Sequence, residues 1–359
     1  MSSHFWQRIL SGFRPASRSE AGRAGPCVVD AEPGQGGASE AAQTSRLRDP
    51  ADSLETPEDS PEPIEAVRAS LSRSLEWRAQ VLLDRSSSTP RLGDGPALVA
   101  SLRGGGEESI RQIPFAAQRA LAVSRNPTSG VADLVKLFEQ DPTLTQSLLQ
   151  TANSSWYRRG DEAVISIAAA VQRIGYRAVE NLLLANIVGG MLCRPGGAYT
   201  VTVGKVWSHM LRTAPLAQRL ASPFGVDAET AYTLGLLHDV GKLAVFDHIS
   251  ALRGDLRREV KMPEPFLFDL LMHLHEPIGG RAVLRWGLDA RAARAVAGHH
   301  RSPVPETPDT VSELLFVAER VDLAVHARFE KPDWEAIWQE GAIATDRAAV
   351  EESYSDERP

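Results

Sequence analysis

Histidine and acid are concentrated at four places in the second half of the sequence: His209, the adjacent pair His238-Asp239, His275, and the pair His299-His300, followed by Glu319 and Asp322. Seven of the nine histidines lie between positions 209 and 300. Imidazole nitrogens mixed with carboxylate oxygens suit a divalent metal such as Mn, Fe, Zn or Mg, and such a shell with open positions suits hydrolysis. A lone histidine on a helix is usually a satisfied structural residue, so the joint pattern carries the suggestion. Its sharpest part runs from Thr230 to Phe246. Leu234, Leu236, Leu237 and Val240 predict a buried helix there, and burying the ionisable pair His238-Asp239 is costly unless it is paired or metal-bound. Lys242, at the next turn, is placed to meet a phosphate oxygen. The competing reading is a helix-packing network of hydrogen bonds.

The elements that must position these residues are helices. From Ile113 onward apolar residues recur at spacings of three and four with no two-residue alternation, which predicts an all-helical domain. The predicted helices cover about 115–125, 130–140, 164–174, 176–193, 203–221, 227–248, 264–286, 289–300 and 309–328. One start is explicit: Asp141 is placed to cap a helix whose first position is Pro142, where the missing N–H costs nothing. Asn153 and its neighbouring serines either hydrogen-bond a ligand or stop that helix and lock its turn, and the second reading is favoured. Trp156, Tyr157 and Trp207 are read as packing rather than as a stacking platform or a wall of the site.

Upstream, Phe5, Trp6, Ile9, Leu10 and Phe13 form a short amphipathic helix over about 4–14, either a docking element for a membrane surface or partner, or a frayed terminus. Gly, Pro, Ser, Ala and acid dominate 21–62, too little apolar surface to offset ordering entropy, so a disordered tail is expected. A second helix is expected over 63–84, packing on something else. Residues 1–106 are thus read as mostly tail, 107–332 as one domain and 333–359 as an acidic tail.

The chain has 359 residues and a formal net charge of −7, which argues against binding nucleic acid by charge alone. The charge is unevenly spread. Residues 30–65 hold ten acids against two bases, 333–359 hold eight against two, and 66–332 hold 31 bases against 27 acids. The middle is mildly basic, and the objection to a phosphate-bearing ligand weakens. Cys27 and Cys193 are the only cysteines, neither a disulfide framework nor a thiolate site, which predicts a cytoplasmic protein. No apolar run of about 18 residues predicts a transmembrane helix.

The motif His238-Asp239-Val240-Gly241-Lys242 resembles the HD superfamily of metal-dependent phosphohydrolases. His209 to Arg212 resembles its first-ligand helix, His275 with Gly279 its His-x-x-x-Gly segment, and His299-His300 the double histidine of the HD-GYP branch. Val317-Ala318-Glu319 stands where that branch closes the site with Val-Ala-Asp, with Asp322 one turn on. Ile113-Pro114, Asp141-Pro142-Thr143-Leu144, Ala152-Asn153-Ser154-Ser155 and Ile174-Gly175 narrow the resemblance to the HDOD domain, over about 113–330. The resemblance implies two helical lobes, about 113–200 and an HD-like bundle over 201–330, and a role in bacterial signal transduction. Two departures bear on chemistry: Arg301-Ser302-Pro303 replaces Gly-Tyr-Pro, and Glu319 is one methylene longer than Asp.

Two functions follow from the resemblance. In the first, favoured one, the protein is regulatory, acting on a signalling protein partner or a nucleotide second messenger, with or without a bound divalent metal. In the second it is a metal-dependent phosphohydrolase or phosphodiesterase acting on a nucleotide or cyclic dinucleotide. His209, His238, Asp239 and Glu319 would then hold one ion and His275, His299 and His300 another. Asp239 and Lys242 would be catalytic, and Lys242 and Arg212 would bind phosphate.

Overall fold

The structure, a computed structural model, describes residues 63–86, 92–104, 110–112, 131–139, 142–153, 157, 163–192, 199–301, 309–328 and 331–355. Among them the regular structure is entirely helical, as the apolar spacing predicts. The disordered tail expected over 21–62, the helices expected at 4–14 and 115–125, and Trp156 lie outside the described residues.

A first group of helices comprises α3 (Val131–Glu139), α4 (Pro142–Ala152) and α5 (Ile167–Ile174), which pack on one another; α4 and α5 also pack on α6 (Tyr176–Leu192). Pro142 opens α4, as read from the sequence. Ser166 caps α5, its hydroxyl accepting from the Ala169 amide at 3.2 Å. Gly175, at φ +82°, reverses the chain into α6 in a conformation that costs other residues more. α6 then packs against α8 (Ala228–Leu237) and α9 (Val240–Leu256), joining this group to the larger bundle.

That bundle is built on α7 (Thr200–Leu220), α8, α9, α10 (Glu264–Arg285), α11 (Ala290–Ala297) and α12 (Thr310–Asp322). Asp227, Asp289 and Asp309 cap α8, α11 and α12 with carboxylates that accept a first-turn amide. The single helix expected over 227–248 is two helices, because α8 ends at Leu237 and α9 starts at Val240. The apolar pattern runs unbroken through the junction because both helices are buried, so periodicity could not reveal it. Gly241 explains the path: a Cβ there would lie 1.9 Å from the His275 carbonyl oxygen and 2.7 Å from the Gly279 nitrogen. The chain comes in against the backbone of α10, as only glycine allows. The helix expected to 328 also changes character, with π-helical geometry over Leu323–Arg328.

The helix expected over 63–84 is present on one flank, and the other flank differs from expectation. α1 (Ile64–Ser86) buries Val67, Leu71, Leu75, Ala79 and Leu82 and packs along α10, and α2 (Gly95–Gly104) follows it onto α9. The stretch read as an acidic tail folds into α13 (Trp334–Gly341) and α14 (Arg347–Ser355), which pack on α12 and α7. Its acids had suggested solvation. Asp333 instead caps α13, while Trp334, Trp338 and Tyr354 stack edge to face with centroids 5.3 to 6.2 Å apart. No described helix is long and apolar enough to cross a membrane.

Gly241→Ala is expected to destabilise the chain by about 3 kcal/mol or more, since backbone rather than a flexible side chain must move. Gly204→Ala, at an exposed helical site with open space around the Cβ position, should instead stabilise it by about 0.5–1 kcal/mol. Denaturant melts of both variants check the opposite signs.

Candidate functional site

The break between α8 and α9 places the neighbours His238 and Asp239 so that both face one buried centre. His209 reaches it from α7, His275 from α10, His299 and His300 from the turn after α11, and Glu319 from α12. Three sets of potential ligand atoms each lie within 4.8 Å of one another: Asp239, His275, His299 and His300; His209, His238 and Asp239; His238, His299 and Glu319. Asp239 is shared between the first two. Its Oδ1 is 3.5 Å from His275 Nε2 and 3.6 Å from His299 Nε2, and its Oδ2 is 3.7 Å from His209 Nε2 and 3.6 Å from His238 Nε2. Glu319 groups with His238 and His299 rather than with His209, and its Oε2 lies 3.4 Å from His300 Nδ1. The longer arm reaches.

Three rings are oriented by backbone. His238, His275 and His299 each direct Nδ1 to a carbonyl oxygen 2.7 Å away, of Gly235, Leu271 and Val296 respectively. His209 directs Nδ1 to Asp322 Oδ2 at 2.6 Å. Carbonyls and carboxylates only accept, so Nδ1 carries the hydrogen and Nε2 presents a lone pair to the centre. Yet the Nε2 atoms of His209 and His238 are 3.1 Å apart, and those of His275 and His300 are 3.0 Å apart. Between His209 and His238 two lone pairs face each other and repel unless a cation lies among them, whereas His300 Nε2 can donate to His275. Asp239 Oδ1, His299 Nε2 and both Glu319 oxygens are buried without a hydrogen-bond partner, a cost that a metal would remove. The donor set therefore fits a divalent ion, with the Asp322 carboxylate behind His209 as an outer-shell orienter.

The electrostatics agree for His238, His275 and His300. Burial pushes His238 down to about 4 and holds His275 and His300 well below the usual histidine range, so these rings are neutral near pH 7. His299 goes the other way: burial would lower it, but the facing Asp239, Glu319 and Glu276 carboxylates raise it. Burial would also raise Asp239, but the Lys242 ammonium, helped by the surrounding imidazoles, keeps it well below the carboxylate range. Lys242 Nζ sits 2.7 Å from both Asp239 oxygens, with good hydrogen-bond geometry only toward Oδ2.

The two cations expected to meet phosphate are therefore already engaged. Lys242 is wholly buried on Asp239. Arg212 turns outward and forks onto Asp322, Nε to Oδ1 at 2.9 Å and Nη2 to Oδ2 at 3.2 Å. Asp322, grouped in the sequence with Glu319, thus links His209, Arg212 and His326, whose Nδ1 is 2.9 Å away. Glu276 was missed, although an ionisable residue in the apolar run from Leu270 to Ile278 is the signal that had marked His238-Asp239. Its carboxylate accepts the His300 amide at 3.2 Å.

Asn153 is structural, as favoured. Its side-chain nitrogen donates to the Leu149 and Val164 carbonyls at 2.9 and 2.8 Å, and its oxygen accepts from the Val164 amide at 2.7 Å. Beside it an open, mostly apolar groove of about 740 Å³ is lined by Glu139, Thr145, Gln146, Leu149, Gln150 and Ile167. Tyr157 and Trp207 pack against the core.

The HDOD domain family model matches residues 110–302, more than half of the chain. The chain belongs to the HDOD family. Among curated proteins, an uncharacterized protein of Treponema pallidum is 26% identical over 250 residues, 68% of this chain and 44% of its own length. Ribonuclease Y of Opitutus terrae is 30% identical over 102 residues, 28% of this chain and 15% of the enzyme. The chain thus spans less than half the length of the curated relatives it matches. Among solved structures, one from Shewanella amazonensis, provisionally described as a phosphohydrolase, superposes with a TM-score of 0.54 at 21% identity, over 72% of this chain and 94% of that one. An HDOD domain protein of unknown function from Geobacter sulfurreducens gives 0.50 at 17%, over 78% and 95%. At these identities the likeness shows the shared fold.

Two outcomes separate the orienting residues. Asp322→Ala is expected to weaken Mn²⁺ binding roughly 10- to 100-fold by titration, through loss of the orienting partner of His209. Asn153→Ala should leave that titration unchanged and cost about 1–3 kcal/mol in a denaturant melt, because the Val164 amide and carbonyl lose their partner.

Proposed function

We propose that this HDOD protein is a signalling regulator that holds divalent metal at the Asp239-centred cluster and acts through a protein partner or a nucleotide. The observation that carries this reading is the burial of the cluster. His209, His238, Asp239, Lys242, His275, His299 and Glu319 are all 0% exposed, and only His300 of the candidate ligands is part-exposed. A hydrolase must admit a phosphate ester to its metal, whereas a metal that fixes the packing of six helices needs no entry. The groove beside Asn153, on the helices that a plain HD hydrolase would not need, supports a partner-binding role for the first group. Of the two cations expected to meet phosphate, Arg212 is the more exposed, although it is forked onto Asp322.

A second reading, metal-dependent phosphohydrolysis, is favoured by the completeness of the donor set. His209, His238 and Asp239 would hold one ion, and Asp239, His275, His299 and His300 the other, with Glu319 between them. Metal in such a site supplies Lewis acidity and an activated water. Within it, Lys242 would keep Asp239 ionised.

The full chain separates the two, because α1, α13 and α14 pack on the bundle and belong in the sample. Its metal content is measured, and hydrolysis of cyclic dinucleotides and nucleoside phosphates is assayed with added Mn²⁺. The expected result is bound metal that is lost in His238→Ala, with no turnover above that of Asp239→Ala. Turnover abolished by Asp239→Ala overturns the purely regulatory reading. A metal-free protein on which His238→Ala has no effect overturns metal binding and the hydrolase with it.

A further inference from the structure

The turn that carries His299 and His300 is gripped from two sides by elements outside residues 110–302. Arg301, next in sequence, has φ +50°, a left-handed conformation uncommon for a side chain of this size. It is also buried, at 4% exposure. Its guanidinium donates through Nε to the Gly341 carbonyl at 2.6 Å and through Nη2 to the Ala342 carbonyl at 3.3 Å, at the end of α13. Its Nη1 reaches Ser312 Oγ on α12 at 3.3 Å. Glu313 stands 3.6 Å from the guanidinium and accepts from the Ala344 and Thr345 amides at 3.2 and 3.3 Å, tying the segment after α13 to the same point.

On the other side, Glu276 accepts the His300 amide through Oε1 and receives Arg78 of α1 on Oε2 at 2.6 Å. The same Arg78 nitrogen donates to the His273 carbonyl at 3.2 Å. Pro277 lies four residues beyond His273 and has no N–H, so that carbonyl lacks its usual helical donor. Arg78 therefore fills a vacancy made by Pro277 and at the same step compensates a buried carboxylate. Neither contact touches a candidate ligand side chain; both act on the backbone that carries the ligands.

We infer that Arg78 and Arg301 are positioning residues for the metal cluster, holding the His299-His300 turn so that both imidazoles face Asp239 and His275. The inference rests on the metal-binding reading above. It makes α1 and α13 parts of the site although neither supplies a ligand. Because the His209, His238 and Asp239 set does not include this turn, loosening the grip should affect one half of the cluster.

The full chain, stripped of metal, is titrated with Mn²⁺ alone, and amide exchange is followed at His300 and Arg301. In Arg78→Met and in Arg301→Met, bound Mn²⁺ is expected to fall from two ions to one, and exchange at these amides to quicken at least tenfold. Arg78→Lys should recover most of the loss, since an ammonium still compensates Glu276. Where a methionine variant does not fold, Arg78→Lys and Arg301→Lys are read in its place, with Arg301→Lys expected to lose the second ion because it cannot fork onto two carbonyls. Parental stoichiometry and exchange in the variants overturn the inference and leave metal binding standing. A parental chain that takes up no Mn²⁺ overturns metal binding and, with it, the positioning role.

Discussion

The carboxylate of Asp239 is a charge taken wholly out of water, and the surrounding fold is arranged to make that tolerable. Lys242 neutralises it from the next turn of α9, and four imidazole nitrogens from α7, the α8–α9 junction, α10 and the turn after α11 face it at 3.5 to 3.7 Å. Desolvating a carboxylate costs several kcal/mol even after relaxation. One ammonium offsets part of this, but buried lone pairs left facing each other do not. A divalent cation satisfies the carboxylate, the lone pairs and the Glu319 oxygens together, so the chemistry of the donors and the cost of burial point the same way.

That constraint extends outward in layers. The imidazoles can face inward only because carbonyls of their own helices, or Asp322, hold the opposite ring nitrogen. Asp322 is in turn held by Arg212, and Glu276 by Arg78. Gly241 lets α9 approach α10 closely enough for Asp239 and His275 to share a centre. Each layer trades exposure for order.

The flanks show how composition misleads when it is read without periodicity. Acids over 333–359 resembled a solvated tail, yet Trp334, Ile337, Trp338, Val350 and Tyr354 recur at helical spacing and find α7 and α12 to pack on. Acid count measures solubility of the exposed face. It does not measure what the opposite face buries.

The sequence by itself determined the helical class, the start of α4 at Pro142 and the list of candidate metal residues, because these depend on local periodicity, capping chemistry and side-chain type. Family membership was legible for the same reason, being written in short motifs. Only the tertiary structure decided that His238 and Asp239 sit at a break between helices, that Glu319 reaches the centre, that Lys242 and Arg212 are already paired, and that α1 and α13 grip the His299-His300 turn. Those outcomes depend on which backbones come close across more than a hundred residues of chain. A spacing pattern confined to one helix carries no information about the carbonyl or carboxylate that another helix brings to meet it.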